Sequence, residues 1–140
     1  MKLKFQLLFI SLLLITLTCF NSCKKDTPSD PADQFVKSYN YTITSPELGF
    51  MSGDMKVTKI SANKISVFMT GGTPTPYTVS GNAITEDAGQ IVDLLVGADS
   101  TASFTENSTG ILVENVLTIN GTWSNPDFAT LSFRIVATKK

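Results

Sequence analysis

Apolar and polar residues alternate in short runs along most of the chain, and turn-forming residues separate these runs. Residues 64–69 (Lys-Ile-Ser-Val-Phe-Met) and 131–135 (Leu-Ser-Phe-Arg-Ile) place apolar side chains at every second position. A period of two is typical of strands with one buried face, whereas the 3.6-residue period of amphipathic helices is weak after residue 34. The pattern predicts an all-β domain.

Segments with strand character recur at short intervals, with Gly, Pro and Asn residues between them. Ten segments have strand character, and we expect them to form about eight strands. They are 35–44, 55–59, 64–69, 77–79, 83–85, 90–96, 102–106, 111–113, 116–123 and 128–138. The run 71–76 contains two prolines, which suit a loop better than a central strand. The tetrapeptide 107–110 (Asn-Ser-Thr-Gly) has the composition of a turn. Both are therefore predicted to be connections.

Residues 90–96 (Gln-Ile-Val-Asp-Leu-Leu-Val) are ambiguous, because they could form a short helix or a strand buried on both faces. Gly89 and Gly97 bracket only seven residues, which is short for a helix. We therefore favour a strand.

Short turns between successive strands force neighbouring strands to be antiparallel, so a meander is the simplest topology. A meander of eight strands that stayed open would expose two edge strands, whose unpaired backbone N–H and C=O groups can pair with other chains. Closing the sheet removes those edges, and we predict a closed or nearly closed barrel, with a β-sandwich as the alternative.

The first 22 residues have a different character from the rest of the chain. An apolar run from Phe5 to Phe20 follows two lysines and precedes Asn21-Ser22-Cys23. The run is about sixteen residues long, and a membrane-spanning helix would need roughly twenty. We therefore interpret residues 1–22 as an export signal, residues 23–33 as a disordered polar tether, and residues 34–140 as a single domain.

The stretch Phe20-Asn21-Ser22-Cys23-Lys24-Lys25-Asp26 resembles the lipobox of bacterial outer-membrane lipoproteins, particularly those of Bacteroidota. In that family the signal is cut before the cysteine, which then carries acyl chains of the palmitate type. The resemblance implies lipid attachment at Cys23 and a location at the cell outer membrane, on either its periplasmic or its surface leaflet. Cys19 is the competing position, but the residue after it is apolar, where a mature chain normally turns polar.

Three stretches of the remaining chain resemble small Bacteroidota lipoproteins with lipocalin-like, or calycin-like, β-barrel domains. These stretches are 57–67, 77–84 and 117–123. The resemblance implies a calycin-like barrel that can hold one small ligand.

Composition narrows the range of functions. The chain contains no histidine, and both of its cysteines precede residue 24. Residues 24–140 therefore lack the side chains for soft-metal sites and for Cys- or His-based nucleophilic catalysis, and we expect neither a cofactor nor an enzyme. Loss of residues 1–22 removes Lys2 and Lys4, which takes the formal net charge from −1 to −3. A weakly acidic domain without a basic patch is not expected to bind nucleic acid.

Five aromatic residues are candidates for lining a ligand cavity. They are Phe68, Tyr77, Phe104, Trp123 and Phe133. The first functional hypothesis is a lipid-anchored module that binds a small apolar or amphipathic ligand in its barrel. The alternative is a solid barrel whose surface docks an envelope protein or a glycan. The adjacent acids Glu86 and Asp87 would point to opposite faces of a strand, so we do not expect them to act as a catalytic pair.

Overall fold

The computed structural model describes residues 29–96 and 100–140. Within these ranges the regular structure is one short 3₁₀ segment, Pro31–Phe35, followed by nine strands. The strands are β1 (Ser38–Ser45), β2 (Gly49–Ser61), β3 (Lys64–Met69), β4 (Thr75–Ser80), β5 (Ala83–Glu86), β6 (Gln90–Leu95), β7 (Thr101–Val113), β8 (Val116–Asn125) and β9 (Phe128–Lys139). The described residues include no helix of the length and apolarity that crossing a membrane requires.

The sheet closes on itself, because its first and last strands pair and a second long-range pairing joins β5 to β7. All of the pairings are antiparallel. Eight strands form the closed barrel, and β6 is the additional one. The predicted fold class, an all-β meander that closes into a barrel, is confirmed.

β6 continues the path of β5 along one edge of β7, since β8 occupies the other edge. Thr85 and Gln90 are five residues apart, whereas their partners Thr109 and Glu106 are only three apart. Two extra residues therefore bulge out where β5 passes into β6. Bulges of this kind re-aim side chains, and this one lies next to the polar cluster described below.

The strand expected at residues 90–96 is present as β6, but it is not buried on both faces. Val92 and Leu94 pack against the core. Ile91 and Leu95 lie on the opposite face, where they are 65% and 69% exposed. Because nothing in the described chain covers the outside of the barrel here, only the inward side chains of this apolar run are shielded.

One end of the barrel, which we call the closed end, is plugged by the 3₁₀ segment. Ala32 and Phe35 are fully buried, and the Tyr39 hydroxyl donates a hydrogen bond of 2.8 Å to the Phe35 carbonyl. Lys59 Nζ lies 2.5 Å from an Asp30 carboxylate oxygen and 2.7 Å from one of Asp33. The domain therefore begins at about residue 30, earlier than the predicted boundary at 34. The first part of the predicted tether, with Cys23, lies outside the described residues.

Three of the predicted local structures differ from the structure. Residues 107–110 do not turn, because they lie within the continuous strand β7. A side chain at Gly110 would stand only 2.9 Å from atoms of both Ile84 and Ile119, so the glycine serves close packing inside the barrel. Phe35 belongs to the 3₁₀ plug and not to the first strand. The expected loop before β4 is also shorter than predicted, since the strand begins at Thr75.

The opposite end, which we call the open end, carries the turns 46–48, 70–74 and 126–127. Core residues near the closed end, such as Ile65 and Leu117, are fully buried. Six inward-facing residues near the open end are only partly buried, namely Tyr41, Met69, Val92, Leu94, Ala102 and Leu131, whereas Ile43, Ser45 and Phe104 are buried there. Met51 pairs with the inward-facing Ile43 and is 61% exposed. The interior is therefore less completely covered at the open end than at the closed end.

Candidate functional site: a polar cluster inside the barrel

Four of the five predicted aromatic residues point into the barrel. Tyr77, Phe104, Trp123 and Phe133 are all buried members of the core. Phe68 is not one of them, because it alternates with the inward-facing Val67 and Met69 and is 41% exposed on the outer face. Its assignment to the interior is corrected.

Trp123 and Phe133 form a stacked aromatic pair across β8 and β9. Their ring centroids are 4.3 Å apart and their planes are inclined by 24°. Phe133 lies directly over Gly121, where a β-carbon would collide with its ring. The glycine therefore makes room for the stack, which forms one wall of the interior.

Glu106 is the charged residue closest to this wall. Trp123 Nε1 donates a hydrogen bond of 2.8 Å to Glu106 Oε2, and the glutamate is only 7% exposed. Glu106 Oε1 accepts no hydrogen bond from residues 29–96 or 100–140. No fully buried side-chain oxygen or nitrogen in these ranges lacks a partner, so Oε1 must border space that a water-sized group can enter.

A second carboxyl group, that of Glu86, ends a chain of hydrogen bonds. The Ser108 hydroxyl donates to Glu86 Oε2 at 2.8 Å, and the Tyr77 hydroxyl lies 2.7 Å from Ser108 Oγ. A serine hydroxyl has only one hydrogen to donate, so Tyr77 must be the donor to Ser108. Gln90, on the far side of the bulge, donates its backbone N–H to Glu86 Oε1 at 3.0 Å.

Burial controls the protonation of this cluster. Desolvation raises the pKa of Glu106, with a smaller contribution from the nearby negative charge of Glu86. Desolvation also raises the pKa of Glu86, although the hydrogen bonds from Ser108 and Gln90 oppose it. The pKa of Tyr77 is raised by the same burial. The ion pairs among the described residues involve Lys59, Lys64 and Lys140, and none reaches either of these glutamates.

Glu86 and Asp87 lie on opposite sides of the barrel wall, as predicted. Asp87 accepts hydrogen bonds from Lys64 Nζ, at 2.7 Å, and from the Thr78 hydroxyl. These two bonds lower the pKa of Asp87. The pair therefore separates into an interior carboxyl group and an exterior ion-pair partner.

The described residues contain no group of three or more acidic or cysteine side chains placed to hold a metal ion. The interior cluster can accept hydrogen bonds through its carboxyl oxygens and can offer aromatic surfaces.

Sequence reasoning missed Glu106 and Ser108. A pattern in the sequence could have revealed them, because every second residue of β7 faces inward. These inward-facing residues are Phe104, Glu106, Ser108, Gly110 and Leu112. The expected turn at residues 107–110 divided this pattern into two short segments. A polar residue at an inward position of a continuous strand would have marked the site.

The outer face of the barrel carries shallow grooves of mixed polar and apolar character. One groove of about 650 Å³ is lined by Thr44, Asn120, Ser132 and Arg134, among others. Another of about 480 Å³ is lined by Asn40, Thr42 and Asp54, among others. The first groove reaches Gly121 and Phe133 of the aromatic wall, whereas the second contains no residue of the interior cluster.

Comparisons with known proteins support the architecture. No family model matches the chain, and no curated protein matches it. The structure of EF1p2_mFAP2b bound to DFHBI resembles this one with a TM-score of 0.52 at 10% identity, over 80% of this chain and 98% of that chain. A redesigned β-barrel, b11L5F_LGL, gives a TM-score of 0.52 at 13% identity, over 82% and 99% of the two chains. The protein is a closed antiparallel β-barrel, and at such identities the likeness concerns the fold alone.

Proposed function

We propose that this protein is a lipid-anchored module of the cell envelope that binds a small amphipathic ligand in the open half of its barrel. The observation that carries the proposal is Glu106 Oε1, an unpartnered carboxyl oxygen inside the barrel that borders accessible space. Because this oxygen borders accessible space, a ligand group can reach it and donate a hydrogen bond to the carboxylate.

The walls of the open half fit the apolar part of such a ligand. Val92, Leu94, Met69 and Leu131 face inward there and remain partly exposed. Burying these side chains against a ligand would remove apolar surface from water, at about 25 cal/mol for each Å². The likeness to a β-barrel that was solved with DFHBI bound supports this use of the fold.

The anchor belongs to the same proposal. Cys23 is its attachment point, and the chain enters the barrel at the closed end through the plug Pro31–Phe35. The tether therefore joins the domain at the end opposite the mouth. Replacement of Cys23 by alanine is expected to abolish incorporation of a labelled fatty acid and to release the protein from the membrane fraction.

Native mass spectrometry tests ligand binding. The full-length protein is incubated with an envelope extract and gently purified, and an added mass that disappears on denaturation is expected. Ala102→Phe, which fills an inward position near the mouth, should abolish the added mass. Thr101→Phe, which places the same ring on the exposed face, should retain it. A clean ligand-free mass across several extracts would contradict the proposal.

The alternative function is docking of a protein at the open end. The observation that favours it is a rim of exposed apolar side chains, consisting of Leu48, Phe50, Met51, Leu95, Val96 and Phe128. Concentrations of apolar surface mark interaction sites in many proteins. If no extract yields a ligand, this rim becomes the surface on which a partner should be sought.

A further inference from the structure

Lysine and arginine are absent from long stretches of the barrel sequence. No lysine or arginine occurs in residues 41–55, 65–96 or 100–133, although these ranges contain eight acidic residues. Two of those acids are paired with lysines from elsewhere in the chain, Asp54 with Lys140 and Asp87 with Lys64. The others have no basic partner among the described residues.

Three of these unpaired acids lie towards the open end. Glu47 and Asp127 lie in turns there, and Asp93 lies on the exposed outer face of β6, where it accepts a hydrogen bond from Ser103. Charges of one sign around a cleft raise the local concentration of ligands of the opposite sign. These acids favour the approach of cations to the open end, although Arg134 lies in the same outer groove as Pro46 of the turn 46–48.

The interior of the barrel also favours cationic ligands. Glu106 is nine-tenths buried and faces into the barrel, and its Oε1 has no donor among the described residues. Glu86 lies nearby with its two oxygens already occupied by Ser108 and Gln90. Trp123 and Tyr77 contact this cluster through their indole N–H and hydroxyl groups, so both contribute hydrogen bonds to it. A cationic N–H donor satisfies both the charge and the free oxygen.

We propose that the ligand is a cationic amphiphile, whose ammonium group binds to Glu106 Oε1 while its apolar part lies against Val92, Leu94 and Leu131. This inference rests on the proposed function, because it names the class of ligand that the open half of the barrel takes up. The acids near the open end and the free oxygen of Glu106 are separate observations, and both favour a positively charged ligand.

A matched set of three probes tests the class of ligand. The probes are 4-phenylbutylamine, 4-phenylbutanol and 4-phenylbutyrate, which share an apolar part and differ in the charge of the polar end. Full-length protein is reconstituted in phosphatidylcholine vesicles, and empty vesicles serve as the blank. Binding is read from the fluorescence of Trp123, which is the only tryptophan of the chain and contacts Glu106.

The amine is expected to bind at least about tenfold more tightly than the alcohol, because hydrogen bonds between charged groups are stronger than neutral ones. The carboxylate should bind most weakly. Glu106→Gln should reduce the affinity for the amine to that for the alcohol and leave alcohol binding unchanged. Glu114→Gln is the matched control, since it removes an exposed carboxylate in the turn between β7 and β8, at the closed end.

Three results would overturn the inference. Equal binding of the three probes, or tightest binding of the carboxylate, would show that the site does not select cations, while ligand binding itself would stand. Retention of the amine preference in Glu106→Gln would remove that residue from the site. If no probe binds, the cationic class is rejected, and the extract experiment decides separately whether the barrel binds any ligand.

Discussion

The indole N–H of Trp123 donates to the carboxylate of Glu106 from the directly opposite position on the neighbouring strand, at 2.8 Å. This bond holds one carboxyl oxygen and leaves the other free inside the barrel. It also links the only tryptophan of the chain to the group that we expect to bind the ligand. The pair therefore connects the carboxyl group of Glu106 to the aromatic stack of Trp123 and Phe133, and the fluorescence of Trp123 can report on both.

Stability is expected to fall as the pH rises through the acidic and neutral range. Burial raises the pKa of Glu106 and of Glu86 above the ordinary value of 4.5, so the folded state holds these protons more tightly than the unfolded state. The stabilisation is complete below pH 4.5 and is lost as the pH rises through the raised pKa values. Urea unfolding at a series of pH values between 5 and 8 measures the effect.

Glu106→Gln provides the comparison for that experiment. Its amide oxygen can still accept the hydrogen bond of Trp123, but the residue no longer titrates. We expect a smaller loss of stability with rising pH than in the wild type, and higher stability than the wild type at pH 8. A wild-type protein that becomes more stable over this range would contradict the assignment.

Gly121→Ala should destabilise the barrel by about 1–3 kcal/mol, since overpacking of a tight interior has costs of this size. The new methyl group would collide with the ring of Phe133 and displace it from Trp123. Chemical denaturation measures the loss of stability, and near-ultraviolet circular dichroism reports the aromatic stack. Gly72→Ala is the control, because its methyl group would meet only the Met69 carbonyl oxygen at 3.4 Å. Equal effects of the two substitutions would exclude the packing explanation.

Phe35→Ala should cost about 3–5 kcal/mol, because it empties the centre of the plug at the closed end. Deletion of residues 1–28 should leave the unfolding midpoint unchanged, whereas deletion of residues 1–35 should lower it strongly. Calorimetry of the three variants checks the boundary of the domain. If the longer deletion left the midpoint unchanged, the 3₁₀ segment would not be part of the folded unit.

Two tyrosines should resist ionisation in the folded protein. Burial raises the pKa of Tyr39 to about 12 and also raises the pKa of Tyr77. Because the folded state retains these protons, stability should fall as the pH rises above the ordinary value of 10. Absorbance titration of the phenolate measures the ionisation, and Tyr39→Phe should remove one of the late-titrating groups. Ionisation of all tyrosines near pH 10 without unfolding would contradict the burial.

Alternation along individual strands was sufficient to predict the class of the fold. The period of two in residues 64–69 and 131–135 determined which side chains face inward, because neighbouring residues of a strand point to opposite faces. The same rule correctly separated Glu86 from Asp87 and, applied more strictly, would have placed Phe68 outside. Short turns between the strands determined the antiparallel meander, and exposed edges made closure favourable.

Only the tertiary structure decided where the polar site lies. Asn107, Ser108 and Gly110 have the composition of a turn, yet long-range pairing with β5 and β8 keeps them extended, and small side chains there make room for Tyr77 and Ile119. The two glutamates are twenty positions apart in sequence, and barrel closure brings both to the interior. Contacts of this kind depend on pairing between distant segments, so local propensity does not encode them.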